Sequence, residues 1–85
     1  MDKFLEDKQI QIPARKVSIK GRYHRYDLLI VEEEDGKKIV LDLNGGRFSH
    51  MEIADIDKEG FIEHALQLTE IEADELKPYL KEIIS

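Results

Sequence analysis

Cations and aromatic rings alternate between Lys20 and Tyr26, in the segment Lys-Gly-Arg-Tyr-His-Arg-Tyr. Cations contact phosphates and aromatic rings stack on unpaired bases, so this composition suits single-stranded nucleic acid. The candidate contact residues are Lys20, Arg22, Tyr23 and Arg25. A strand–turn–strand surface would explain the same residues without any ligand. The net charge of −6 repels phosphates at long range, which makes nucleic acid an unlikely partner and keeps it as the alternative hypothesis.

An acidic run from Asp55 to Glu63 has spacing similar to part of an EF-hand calcium loop. Counting from Asp55, side-chain oxygens stand at positions 1, 3, 5 and 9, and glycine stands at position 6. A calcium loop ends on a bidentate carboxylate at position 12, but Leu66 occupies that position and cannot donate an oxygen. We therefore interpret the run as an acidic helix start. Weak cation binding by residues 55–63 stays open.

Catalytic, metal and cofactor sites have no support in the residue pattern. The chain has no cysteine, which excludes thiolate chemistry and disulfides. His24, His50 and His64 lack the close spacing that zinc ligands use. The serines lack a Gly-x-Ser-x-Gly frame, and no phosphate-binding glycine motif occurs. We expect a protein that is not an enzyme and that carries no cofactor and no metal.

Composition predicts one globular domain, residues 1–85, with an uneven charge distribution. Hydrophobic residues make up 41% of the chain and charged residues 38%, which argues against disorder. Residues 1–26 hold seven cations and three acids, whereas the rest of the chain holds six cations and sixteen acids. The longest apolar run, residues 28–31, is far too short to cross a membrane. Acids among the first seven residues do not fit a secretory signal, so we expect a cytoplasmic protein that does not contact membranes.

Periodicity predicts strands first and helices last. Two β-rich runs, residues 26–32 and 38–43, flank Asp35-Gly36, a dipeptide typical of a tight hairpin turn. Residues 17–21 alternate as a half-buried strand, and residues 47–53 fit a fourth. Phe4 to Gln9 fits a helical turn or a frayed arm.

Two apolar helical faces follow, Phe61-Ile62-Ala65-Leu66 and Leu76-Tyr79-Leu80-Ile83-Ile84. Because proline is tolerated in the first turn of a helix, Pro78 predicts that the second helix begins near residues 73–75. The order predicts an α+β fold: a small antiparallel sheet of three or four strands, covered by two C-terminal helices.

A face of this sheet is expected to remain uncovered. Two helices cover one face only, and we expect Leu29, Val31 and Val40 to lie on the other one. Monomers seldom expose contiguous apolar surface, and a chain of this size has a thin core that gains from being covered. The sequence therefore favours a non-enzymatic protein-interaction module that binds another protein or itself, with a homodimer of modest affinity as the expected form. In size, charge and element order, the chain resembles the small acidic cytosolic α+β proteins of bacteria.

Overall fold

The computed structural model describes residue 9, residues 11–33 and residues 35–85. Seven elements follow one another in the order β1 (Ala14–Lys20), β2 (Arg25–Glu32), β3 (Lys38–Asp42), β4 (Arg47–Met51), α1 (Ile53–Ile56), α2 (Phe61–Leu66) and α3 (Glu70–Ile84). The strands form one antiparallel sheet of order β1-β2-β3-β4. The predicted α+β fold with an N-terminal sheet and C-terminal helices is confirmed. The prediction for Phe4 to Gln9 lies, except for Gln9, outside the described residues.

The turn between β2 and β3 sets the register of the two central strands. The Glu33 amide donates to the Lys37 carbonyl at 3.0 Å, and Gly36 adopts a φ of 83°. The closing strand pair is Glu32 with Lys38, which places Ile30 opposite Val40. Side chains alternate along a strand, so residues directly opposite each other share a face.

This register corrects one prediction. Val40 does not lie on the open side of the sheet but is fully buried, with 0% of its surface exposed. The predicted placement of Leu29, Val31 and Val40 on one face corresponds to a register shifted by one residue. A shift of one residue moves every side chain of the strand to the opposite face, so the length of the turn decides which side chains of β3 face the helices.

The helices cover the face that carries Leu28, Ile30 and Val40. The core combines side chains from β1 to β4 with the buried side of each helix. Its buried members are Ile19, Tyr26, Leu28, Ile30, Val40, Met51, Ile56, Ile62, Leu66, Ala73, Leu76, Leu80 and Ile84. The helical layer holds three helices where the sequence predicted two, because the single turn of α1 precedes α2.

Helix α3 begins at Glu70, several residues before the predicted start. Thr69 caps it: the Thr69 hydroxyl accepts from the Glu72 amide at 3.2 Å, and the Glu72 carboxylate accepts from the Thr69 amide at 2.9 Å. This reciprocal pair is a capping box, which fixes the helix start. Pro78 therefore lies inside the helix and not in its first turn.

Candidate interaction surface on the open face of the sheet

The face of the sheet that points away from the helices carries a contiguous apolar patch. Cross-strand pairs build it: Val31 lies opposite Ile39, Leu29 opposite Leu41, and Leu41 opposite Phe48. We call Leu29, Val31, Ile39, Leu41 and Phe48 the open-face patch. The first four are half-buried, and Phe48 is 61% exposed. Within the part of the chain that the structure describes, no helix packs on this patch, because the buried residues of all three helices join the core on the other side.

The patch differs from the surface expected from the sequence by three additions and one loss. The structure places Leu29 and Val31 on this face, while Val40 belongs to the core. Ile39 and Leu41 lie on this face in place of Val40. The prediction missed them because placing Val40 on the open face puts its neighbours on the helix side. The pairing of Glu32 with Lys38 identifies them. With this pairing, the odd-numbered residues of β2 and the odd-numbered residues of β3 lie on the same face of the sheet. Phe48 was placed in a strand but assigned to no site.

A groove lies at the hairpin end of the patch. Its volume is about 860 Å³, and Val31 and Ile39 contribute to its lining. Ile12 and Pro13 border it from the chain that leads into β1, and Glu33 and Asp35 are among its acidic lining residues. The apolar patch is thus continuous with a groove that has carboxylates on its border.

Charges of opposite sign occupy the two ends of the open face along the strand direction. At the end where β1 leads to β2, Lys20 is the Cα partner of Arg25, and both are exposed. At the hairpin end, Glu33 contacts the His50 ring nitrogen Nδ1, and Asp35 is exposed. Lys20 and Arg25 therefore mark one end of the face and the carboxylates of Glu33 and Asp35 mark the other, where Lys37 is also exposed; the apolar patch separates the two ends.

Asp27 organises the basic end through hydrogen bonds to three elements. Its carboxylate accepts from the Ser18 hydroxyl at 2.6 Å, from the Asn44 amide at 3.1 Å and from Arg25 Nε at 3.2 Å. The Ser18 hydroxyl and the Asn44 amide hold the pKa of Asp27 below its ordinary value, and Arg25 adds to the effect. Asp27 consequently stays ionised and fixes β1, β2 and the turn after β3 relative to one another.

The turn between β1 and β2 is attached to α3 by one carboxylate. Glu75 accepts from the Arg22 backbone amide at 2.7 Å and from the Tyr26 hydroxyl at 3.0 Å. A side chain at Gly21 would collide with Glu75, since an added Cβ would lie 2.0 Å from Oε1. Burial and the hydrogen bond to Glu75 raise the pKa of Tyr26. His24 Nε2 lies 3.2 Å from Glu72.

These contacts divide the basic and aromatic segment that the sequence analysis singled out. Tyr26 is a core residue, and the imidazole of His24 pairs with a carboxylate on α3. Lys20, Arg22, Tyr23 and Arg25 are exposed, and the Arg22 guanidinium stacks over the Tyr23 ring at 5.6 Å. The segment therefore presents one exposed tyrosine ring, Tyr23, beside the partly exposed imidazole of His24.

The acidic run from Asp55 to Glu63 pairs with lysines instead of converging on one point. Asp55 accepts from Lys58 at 2.7 Å, and this bond lowers the pKa of Asp55. Asp57 pairs with Lys81, and a Glu63 oxygen lies 3.7 Å from Lys77. Leu66, at the position of the missing bidentate ligand, is a core residue. Among the described residues, no group of three or more His, Cys, Asp or Glu side chains is placed to hold a metal ion.

Comparison with known families adds an assignment for nearly the whole chain. The profile of the SAV0927-like family matches residues 5–82. The chain belongs to the SAV0927-like family. No curated protein matches it. Within the described residues, none of the helices of this family member combines the length and the apolar character that crossing a bilayer requires.

Proposed function

We propose that this SAV0927-like protein is a non-enzymatic interaction module that binds a second copy of itself through the open-face patch. The observation that carries the proposal is the cross-strand block of Val31, Ile39, Leu29 and Leu41, which continues into the exposed ring of Phe48. Contiguous apolar surface of this kind marks interaction sites in small proteins. The cytoplasmic location expected from the sequence is part of this proposal, and fractionation of native cells would check it.

Charge complementarity favours a second copy as the partner. The open face is basic at Lys20 and Arg25 and acidic at Glu33 and Asp35. In the proposed dimer, the open faces of two copies stack on each other. They are related by a two-fold axis that lies between the faces and runs perpendicular to the strands. This axis places the basic end of one copy over the acidic end of the other. The apolar patches then meet in the middle, and a single surface serves both subunits.

Pairing of sheet edges is a less favourable route to a dimer. The strand β1 is one edge of the sheet and carries Arg15, Lys16 and Lys20, whereas β4 is the other edge and carries Arg47. Pairing of two β1 edges brings several cations together, which is destabilising for directly opposed side chains. Stacking of the faces avoids this repulsion.

The size of the patch points to a modest affinity. Burial of ~400 Å² of apolar surface on each subunit, ~800 Å² for the dimer, contributes roughly 20 kcal/mol at 25 cal/mol/Å². The cost of association, ~4–15 kcal/mol, offsets a large part of this contribution, so a surplus of roughly 5–16 kcal/mol remains before polar groups are desolvated. We therefore propose a reversible dimer with a dissociation constant on the order of micromolar.

The charges of the open face do not favour nucleic acid as the partner. Its cations Lys16, Lys20 and Arg25 are balanced by carboxylates at the same face, Asp27, Glu33 and Asp35. A binder of phosphates needs an excess of cations. A further difference is that nucleic-acid affinity falls steeply with salt, while an apolar interface is retained.

Light scattering of the full-length protein across a hundredfold concentration range tests the proposal. We expect the mean mass to rise from that of one 9.9 kDa chain toward twice that value, at both low and high salt. A constant monomer mass would refute self-association. Salt-sensitive binding of a single-stranded oligonucleotide by such a monomer would favour the alternative function instead.

A further inference from the structure

We propose that the outer edge of β1 accepts an extended segment of another protein, in which acidic and apolar side chains alternate. This second surface does not depend on the dimer proposed above, because it uses the backbone groups of a sheet edge and not the open-face patch; Lys20 borders both surfaces. Addition of a strand to a sheet edge is a common mode of peptide recognition, in which backbone hydrogen bonds supply affinity and alternate side chains supply specificity.

The hydrogen bonds at both ends of β1 define which backbone groups point outward. Glu32 donates to the Pro13 carbonyl at 3.0 Å, and Gly21 donates to the His24 carbonyl at 2.7 Å. Antiparallel strands alternate between bonded and non-bonded pairs, so the odd-numbered residues of β1 bond to β2. The even-numbered residues direct their amides and carbonyls away from β2; these are Ala14, Lys16, Ser18 and Lys20. Among the described residues, no strand pairs with them on that side.

The open-face side of this edge is basic. Lys16 and Lys20 are exposed there, and the hydroxyl of Ser18 between them is bonded to Asp27. An added strand would place its own side chains directly opposite these positions, about 4.5–5.5 Å away between Cβ atoms. Carboxylates are the groups that two flanking lysines favour at that distance.

The other side of the edge is apolar at Val17 and Ile83, with the exposed Arg15 beside them. Val17 and Ile83 are half-buried against the core, and Ile83 borders a cavity of about 270 Å³ together with Pro13 and Ala14. Glu75, Tyr79 and Ile83 follow one another at intervals of four residues and therefore form a stripe along one side of α3. Tyr79, in the middle of this stripe, is 43% exposed. Since Glu75 contacts Arg22 at one end of β1 and Ile83 lies near Pro13 at the other, this stripe of α3 runs beside the edge.

Together these features specify the alternation of the partner segment. Side chains on the open-face side meet Lys16 and Lys20, and side chains on the helix side meet Val17, Tyr79 and Ile83. None of the four described strands alternates acidic and apolar residues in this way, and the proposed occupant is a segment of a different protein. Edge lysines can alternatively serve to repel all strands, and the experiment separates the two roles.

A synthetic peptide that alternates Glu and Val, with three repeats and a final Glu and with blocked ends, is the probe. The matched control peptide carries Lys in place of Glu. Titration into the ¹⁵N-labelled full-length chain, followed by amide spectra and hydrogen exchange, should slow exchange at Lys16, Ser18 and Lys20 by about tenfold or more. The amides of Val17 and Ile19, which already bond to β2, should change little. The Lys peptide should bind about tenfold more weakly, because two opposed charge pairs change sign.

Two variants distinguish edge pairing from simple charge attraction. Lys16→Pro removes one outward amide without removing a bond to β2, and should abolish binding of the Glu peptide. Lys16→Ala keeps that amide and should retain binding, weakened by the loss of one charge. Unchanged spectra away from β1 would verify that both variants fold. Equal binding of the two peptides, equal binding by the two variants, or no slowing of exchange at millimolar peptide would overturn the proposal. The last result would mean that the lysines guard the edge.

Discussion

Val31 and Ile39 are Cα partners across β2 and β3, on the side of the sheet that the helices leave uncovered. With Leu29 and Leu41 they form two adjacent cross-strand rows, and the row of Leu29 and Leu41 ends on Phe48. Side chains one position along each strand, Ile30 and Val40, are buried in the core. The central hairpin is therefore apolar on both faces, and the described residues cover only one of them.

The first prediction concerns the orientation of the dimer. Lys20→Glu and Glu33→Lys should each weaken self-association by about threefold to tenfold, because each variant opposes like charges at both ends of the interface. An equimolar mixture of the two variants should recover affinity, since a mixed dimer restores an attractive pair at each end. Sedimentation velocity measures all three samples. A mixture that associates no better than its components would contradict the antiparallel arrangement.

The second prediction concerns the attachment of the β1–β2 turn to α3. Glu75→Ala removes the acceptor of the Tyr26 hydroxyl and of the Arg22 amide, and should lower the free energy of unfolding by about 1–3 kcal/mol. The matched control is Asp74→Ala, which removes an exposed carboxylate whose contact to Lys77 is 3.5 Å, and should cost less than about 0.5 kcal/mol. Urea denaturation of the two variants gives the comparison. Equal destabilisation would show that Glu75 has no special role.

The third prediction follows from the lowered pKa of Asp27. Because the folded-state pKa lies below the unfolded value, this carboxylate stabilises the fold fully above the unfolded pKa, and the contribution is lost as pH falls through the folded pKa. Asp27→Asn should therefore show a smaller loss of Tm than the wild type between about pH 6 and about pH 2.5. Asp55 and Glu72, whose pKa values are also lowered, account for part of the remaining acid dependence. Parallel Tm curves for the two proteins would contradict the assignment.

The hairpin, the element order and the fold class were predictable because their signals are local. Asp35-Gly36 between two β-rich runs specifies a turn, and runs of alternating residues before helical periodicity indicate a sheet followed by helices. The early start of α3 was also readable, since Thr69 and Glu72 have the spacing of a capping box. Pro78 instead favoured a later helix start, because a proline in the interior of a helix usually ends it.

The composition of the open face was not predictable to the same degree. Register depends on which pair closes the hairpin, and a loop of residues 33–37 fits the sequence no better than a neighbouring choice. The attachment of Tyr26 to Glu75 spans 49 positions in the chain and leaves no local pattern. The sequence placed Tyr26 at the end of the basic and aromatic segment, whereas packing against α3 makes it part of the core.

The fourth prediction is that calcium does not stabilise the protein. Asp55, Asp57 and Glu63 pair with three different lysines, and Leu66 occupies the core at the position of the missing ligand. Millimolar calcium should leave Tm unchanged, and Asp55→Ala should lower Tm equally with and without calcium, because it breaks the cap at Glu52 in both conditions. A rise of several degrees with calcium that disappears in Asp55→Ala would mean that the loop does bind a cation.

The most direct test of the central claim is sedimentation equilibrium of Val31→Asp beside the matched variant Ile71→Asp. Both substitutions replace an aliphatic side chain at the surface with a carboxylate. Val31 belongs to the open-face patch, whereas Ile71 lies on α3, where it is 68% exposed. The account predicts that wild type and Ile71→Asp form reversible dimers with similar dissociation constants, while Val31→Asp remains monomeric and folded at the highest concentration. Dimers of equal strength in all three proteins, or dimers in none of them, would contradict it.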